Sequence, residues 1–346
     1  MFFHYFTRYT PPWHKTSLYP YENQYNHFNY GYLGVHFFFI ISGFVIFFTI
    51  DNTNSFELFW KKRLVRLMPS IIFGSIFTFI ILVLFDKKNL FPSGHDIRNL
   101  FVSLTFISPT LIMNLFSEFG FKVEYLNGSY WSLWPEIQFY LFSIVVFYYG
   151  NKNFLKTFLI LSSILIFVDT LFTKANLLNS HELLLSSYIK WGLNGFNLLQ
   201  YLPFFSIGVV FYQLFKDKNL QVKTPLFLKL YLTLILILLL IIGGSNGIRL
   251  IYFAMYTFFL CFIYFPQIMG FFKLTLLTKI GESSYFLYLI HESVGVFLIY
   301  LFGKYFLPNS FIWPIFLMIF FIIVSYYFTI LVDKKINKWL RNKLHI

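Results

Sequence analysis

Apolar runs about as long as a lipid bilayer is thick follow one another along almost the whole of this chain. The run LFLKLYLTLILILLLII, residues 226–242, holds a single charge, Lys229. A helix needs about 20 apolar residues to cross the hydrocarbon core, and the backbone that crosses must satisfy its own hydrogen bonds. Repeated runs of this length select transmembrane helices over barrel strands. They also exclude a soluble domain, because 58% of the 346 residues are hydrophobic and only 12% are charged, too apolar a balance to stay dissolved. The expected fold class is all-α: a polytopic membrane protein with about nine complete transmembrane helices plus the remnant of a first one. The spans are placed over roughly 35–50, 68–85, 135–149, 155–172, 196–215, 226–243, 249–268, 283–302 and 311–332.

The links between spans alternate in charge. One set holds Lys61, Lys62, Arg63 and Arg66, then Lys152 and Lys156, then Lys216, Lys218 and Lys223, then Lys273 and Lys279, and finally the basic tail. The other links hold fewer cations over more residues. Positive-inside bias places the first set, and the C-terminus, in the cytoplasm, with membrane lipids as partners. The net charge of +13 mostly reflects this bias and gives no reason to expect nucleic acid. Residues 1–346 read as a single transmembrane domain, with a first-span remnant and external loop in 1–34, a long external loop in 86–134 and a cytoplasmic tail in 333–346. An odd number of spans with an inside C-terminus puts the N-terminus outside. Yet the opening MFFHYFTRYTPPWHK lacks a cleavable signal peptide and reads as the tail of a span, so a first span is expected to be missing or clipped. Cys261 is the single cysteine. It cannot form an internal disulfide, and no Cys/His cluster has zinc spacing, so no metal is expected.

Chemistry is sought among ionisable groups at membrane depth, where charge costs energy unless it has a partner or a task. In GSYWSLWPEIQFY, Glu136 directly follows Pro135. A carboxylate in a first helical turn is favoured by the helix dipole, so Glu136 either starts a helix or faces a cavity. Ser129, Ser132 and Tyr140 are its expected helical neighbours and form a polar stripe. GYLGVHFFFIISGFVIFF places His36 at the outer mouth of a span and a Ser42–Gly43 pair that lets another helix come close. His36 is either a solvated interfacial group or part of a cavity. FWKKRLVRLMPS sets Arg63 and Arg66 three apart on one helix face, either as an anchor on anionic lipid or as a phosphate site, which arginine forks suit. IGESSYFLYLIHES brings His291 and Glu292 deep into the 283–302 span, where His291 serves either packing or chemistry. In the 86–134 loop, DIRNLFVSLTFISPTLIMNLF is amphipathic and either lies on the bilayer or lines a groove.

In order and at their separations, GVHFFFIISGFVI, KKRLVRLMPS, WSLWPEIQFY and IGESSYFLYLIH resemble the acyltransferase 3 family of membrane-bound O-acyltransferases. The likeness covers nearly the whole chain, with the connecting spans matching only in hydropathy. It implies transfer of an acyl group other than an amino-acyl group, usually acetyl from acetyl-CoA, to a hydroxyl of an envelope sugar in lipopolysaccharide O-antigen, capsule or exopolysaccharide. No permanently bound cofactor is implied. Acetyl-CoA or another acyl-CoA is the donor substrate, and an envelope glycan or lipid-linked sugar is the acceptor. By resemblance His4 matches the family's first-span histidine, the base or acyl relay. Arg63 and Arg66, with Lys62 beside them, match the Arg-x-x-Arg pair near the coenzyme phosphates, and Glu136 matches the carboxylate of Trp-Ser-Leu-x-x-Glu. The remaining polar groups at depth, His36, Ser132, Tyr140 and His291, are candidate substrate contacts. One departure stands out: family members carry an arginine about three helical turns before that histidine, and His4 is too near the start of this sequence for it. The rival readings are a transporter or flippase of envelope lipids or sugars, a glycan polymerase, and an inactive truncated copy. In the first two, the inward-facing basic pair has no evident task.

Overall fold

The computed structural model describes residues 1–7, 26–149, 153–174, 195–303, 305–306 and 310–346. Lys152 and most of the expected external loop in 1–34 fall outside them. Among the described residues every regular element is helical. A helix or helix pair lies on each of the nine expected spans. Six are long and apolar enough to cross a membrane, and a bent pair makes a possible seventh. Leu226–Ile242 and Leu133–Tyr149 are shorter, at 17 residues each. Their outward faces are greasy: Leu234 and Ile241 on the first are 64% and 71% exposed and Leu141 on the second 50%, which a membrane protein tolerates because lipid covers them. Contacts group the chain into two compact units.

One unit comprises residues 33–59 and 132–271. It holds α2 (Gly34–Asp51), α6 (Leu133–Tyr149), α7 (Phe154–Lys174), α8 (Leu198–Asn219), α9 (Leu226–Ile242) and α10 (Asn246–Tyr264). Its centre is the crossing of α2 and α8. A Cβ at Gly43 would collide with the Phe205 carbonyl, and one at Gly208 with the Ile40 carbonyl. The two helices therefore meet backbone to backbone, the close approach that small residues permit in lipid. Phe205 fills the space beside the crossing, stacking on Phe139 at 4.2 Å and lying 4.6 Å from Phe39. All three side chains are fully buried. At the far end of the same pair, Asp51 accepts hydrogen bonds from Tyr212 and Lys216.

The other unit comprises residues 1–32, 60–131 and 272–346. It holds α1 (Phe2–Phe6), most of α3 (Phe56–Phe85), α4 (Ile97–Leu104), α5 (Pro109–Leu115), α11 (Thr275–Ile290), α12 (Ser293–Gly303), α13 (Ile312–Phe328) and α14 (Lys334–Leu344). At 30 residues, α3 is longer than a span needs, so its charged first half extends the helix beyond the expected 68–85 segment. A π-helical turn, Thr329–Asp333, joins α13 to α14, and Ser70 on α3 donates to Asp333 there at 3.0 Å. The long connection is folded rather than loose. Asp86 accepts from the Leu90 and Phe91 amides, Asn99 from the Glu124 amide and Ser103 from the Leu126 amide. The single amphipathic stretch expected at 96–116 is two short helices, α4 and α5, because Pro109 can only begin a helix there.

The span expected at 283–302 is corrected. It is not one rod but α11 and α12, bent by 71° at His291–Glu292. The residues at the break are the polar ones of the run, and apolar averaging conceals them.

Candidate active site

A broken helix in a membrane frees carbonyls that lipid cannot satisfy, and here side chains from elsewhere in the unit meet them. Asn127 donates to the Leu289 carbonyl at 2.8 Å and Ser129 to the Tyr288 carbonyl at 3.3 Å. Tyr288 returns a hydrogen bond to the Ser129 carbonyl. His291 Nδ1 lies 2.9 Å from the Tyr288 carbonyl and 3.2 Å from that of Leu287, so it is the protonated nitrogen of that ring. Tyr5, from α1, donates to the His291 carbonyl at 2.8 Å. Its ring lies against α12 because position 295 is glycine: a Cβ there would collide with the Tyr5 hydroxyl.

That docking brings the neighbouring residue, His4, to the break. His4 Nδ1 lies 3.3 Å from Glu292 Oε1, and the His4 ring meets the His291 ring edge-on at 5.1 Å. The Glu292 side chain is 1% exposed and that of His4 17%. A carboxylate so buried needs a partner, and an imidazole facing it through Nδ1–H presents Nε2 as its proton acceptor. Histidine and carboxylate are the residue types of the base and its orienting partner in hydrolase triads, here at ion-pair distance rather than in hydrogen-bond geometry. Within its own unit, the carboxylate that reaches His4 is Glu292.

Glu136 sits in the other unit, in the first turn of α6 behind Pro135, and is 6% exposed. Ser42 of α2 donates to its Oε1 at 3.2 Å, and Tyr140, one turn along α6, donates to the same oxygen. The polar stripe expected around Glu136 is thus built from Tyr140 and, across the helix interface, Ser42. Ser132 is buried just before the helix begins. Ser129 is corrected: it lies in a 3₁₀ turn, Gly128–Ser132, ahead of α6, and serves the break instead.

The basic pair is divided by its own helix. Arg63 is 5% exposed, Arg66 is exposed and Lys62 is half-buried. Three-residue spacing shares a face only approximately, and packing buries the inner member. His36 stacks on Phe204 at 4.2 Å, and its Nδ1 lies 3.3 Å from the Tyr252 hydroxyl. Glu292, Tyr5 and Asn127 are the residues that sequence reasoning left out of the site. The signal for Glu292 was the His-Glu-Ser triplet inside an apolar run. Nothing local marked Tyr5 or Asn127, since their roles depend on contacts 286 and 162 residues away.

Comparison with known proteins gives the same direction. No solved structure matches the chain. It is 31% identical over 132 residues to "Putative peptidoglycan O-acetyltransferase YrhL" of Bacillus subtilis (strain 168), covering 36% of this chain and 20% of that one. It is 33% identical over 124 residues to "Putative O-acetyltransferase SACOL0978" of Staphylococcus aureus (strain COL), covering 34% and 20%. The match therefore spans a fifth of the length of these relatives. The family described as "Acyltransferase domain" matches residues 1–330. With nearly its whole length matched, this multi-pass membrane protein belongs to the acyltransferase 3 family.

Proposed function

We propose that the protein transfers an acyl group, acetyl from acetyl-CoA, to a hydroxyl of an envelope glycan or lipid-linked sugar at a bacterial inner membrane, with its C-terminus in the cytoplasm. The observation that carries this reading is the His4–Glu292 pair at the helix break. His4 Nε2 takes the sugar hydroxyl proton as that oxygen attacks the thioester carbonyl; the C–S bond breaks, and the departing thiolate takes the proton from the imidazolium. Glu292 is the positioning residue that orients the ring. Arg66 and Lys62, with Arg63 buried behind them, supply positive charge suited to the coenzyme phosphates. Glu136, with Ser42 and Tyr140, suits a sugar hydroxyl. O-antigen, capsule, exopolysaccharide and, from the name of the Bacillus relative, peptidoglycan are acceptors of the right class.

The test is incorporation of labelled acetyl-CoA into envelope polysaccharide by membranes carrying the full chain. His4→Ala is expected to lower it by ~10²–10⁴-fold; equal incorporation with and without His4 sinks the reading. A second reading, transport of a lipid-linked sugar, draws on the 71° break, because broken helices mark many transporter sites. It predicts sugar movement indifferent to His4→Ala and to acetyl-CoA.

A further inference from the structure

In the unit of α2 and α6–α10, one cavity is lined by groups that the transfer chemistry leaves unused, His36 apart. It encloses about 430 Å³, within the ~300–1,000 Å³ range of small-molecule sites. It lies where α2, α8 and α10 begin and where α7 and α9 end, so along α7 and α8 it is opposite Lys156, Lys216 and Lys218. Its lining is of two kinds. Tyr201, Phe204 and Tyr252 supply aromatic rings, while Asp169, Asn197 and Gln200 supply a carboxylate and two amides. No lysine or arginine lines it among the described residues.

The walls are held in place before any ligand arrives. His36 is fixed by its stack on Phe204 and its contact with Tyr252. The rim is fixed by α6: Trp134 Nε1 and Gln138 Nε2 both donate to the Gly195 carbonyl, at 2.9 and 2.8 Å, and Gln138 Oε1 accepts from the Leu198 amide at 2.9 Å. These bonds set the turn that presents Asn197 and Gln200. Trp134 and Gln138 flank Glu136, so the helix that carries the buried carboxylate also shapes the cavity mouth. Pro203 has no N–H to offer the Leu199 carbonyl, and both residues line the cavity; a carbonyl released in this way inside a membrane protein must find another donor.

We propose that this cavity binds a neutral sugar ring of the acceptor, an inference that rests on a sugar being the acyl acceptor. A pyranose has an apolar C–H face and a rim of hydroxyls. Aromatic side chains cover the face. A carboxylate with several lone pairs, and amides that both donate and accept, serve the rim. An acyl chain would set the Asn197 and Gln200 amides against hydrocarbon. A nucleotide phosphate would meet no lysine or arginine among the described lining residues.

The test uses the full chain in nanodiscs prepared without sugar detergents, with chitotetraose as the probe and saturation-transfer NMR as the readout. Binding is expected for the unaltered chain and for His4→Ala. Asp169→Asn and Gln200→Ala should each weaken it about tenfold or more, and Thr170→Trp, which fills the cavity, should abolish it. Gln200 is exposed, so its variant remains informative even where Asp169→Asn fails to fold. Chitotetraose binding unchanged in all three cavity variants overturns the proposal. Dodecyl maltoside, a sugar on an alkyl chain, is the second probe. If it alone binds, and Thr170→Trp blocks it, the ring is one carried on a lipid; if neither probe binds, the proposal is overturned. Acetyl transfer measured on the same preparations separates the two claims. Transfer without cavity-dependent binding removes the sugar site and keeps the acyltransferase. Cavity-dependent binding without any transfer does the reverse.

Discussion

Two buried carboxylates, Glu136 and Glu292, are held in opposite ways. Glu136 belongs to an intact helix. The N-terminus of α6 favours its charge, Tyr140 of the same helix bonds to it, and Ser42 reaches it from α2, which Gly43 and Gly208 lock against α8. Regular secondary structure does nearly all the positioning. Glu292 stands where regular structure has been given up. Its partner His4 lies on a five-residue helix, and hydrogen bonds from Tyr5, Asn127 and Ser129 replace those the break removes. Each such bond is worth about 0.5–1.5 kcal/mol net, so the break stands on several small terms rather than one large one. A carboxylate needed only for packing would not require such an arrangement. The break turns the polar ends of two half-helices and a titratable ring toward one place, which suits chemistry better than stability.

Swapping each carboxylate for its amide tests this contrast first. Glu136→Gln keeps an oxygen for Ser42 and Tyr140, so it should fold normally and lose ~10²-fold or more in acetyl transfer; transfer at the unaltered rate ends its role. Glu292→Gln should also cost about 10²-fold, in kcat rather than in KM for acetyl-CoA, because a ring turned out of line misplaces the base without touching the donor. Glu292→Asp should recover part of that loss. If the aspartate recovers nothing and KM rises instead, Glu292 contacts donor and is not a positioning residue.

Two glycine substitutions sharpen the comparison further. Gly208→Ala drives a methyl into the Ile40 carbonyl, a backbone atom of a packed helix that cannot move aside. The expected cost is about 1–3 kcal/mol or more, read as a lower melting temperature, with activity per folded molecule little changed. Gly295→Ala meets the tip of the Tyr5 side chain instead. That ring can swing away, so the stability cost should be smaller. His4, next in sequence, should shift with it, and transfer should fall by at least tenfold. The reverse ranking, with Gly295→Ala the less active-site-sensitive of the two, would mean that α1 does not depend on α12 for its position.

Much of this architecture was legible in the sequence, because each apolar run must become a helix and the close approach at Ser42–Gly43 follows from the size of those residues. What lipid demands, composition records. The break at His291–Glu292 was not legible: a hydropathy window averages two polar residues into the apolar run around them, and nothing nearby says that Asn127 and Tyr5 will satisfy the freed carbonyls. The division of Arg63 from Arg66 was hidden for a related reason. Spacing gives a face, but which member of a face is buried depends on the element packed against it. His4 came from family resemblance alone; the sequence did not disclose that Glu292 would be its neighbour.

The finest test of the break is Tyr5→Phe. It removes one hydroxyl, leaves the ring in the space Gly295 provides, and costs the His291 carbonyl one of its donors. The buried carbonyl then lacks that bond, so about 1 kcal/mol of stability should be lost, a shift of a few degrees at most in melting temperature. The activity should change more than that figure suggests if the hydroxyl also fixes α1, since a displacement of His4 by a fraction of its distance to Glu292 weakens the alignment of the base. A severalfold fall in kcat, with KM for acetyl-CoA unchanged, is therefore expected beside the small melting shift. A melting shift with full activity would show that His4 keeps its place without Tyr5, and that its contacts with Glu292 and His291 hold the imidazole at the break.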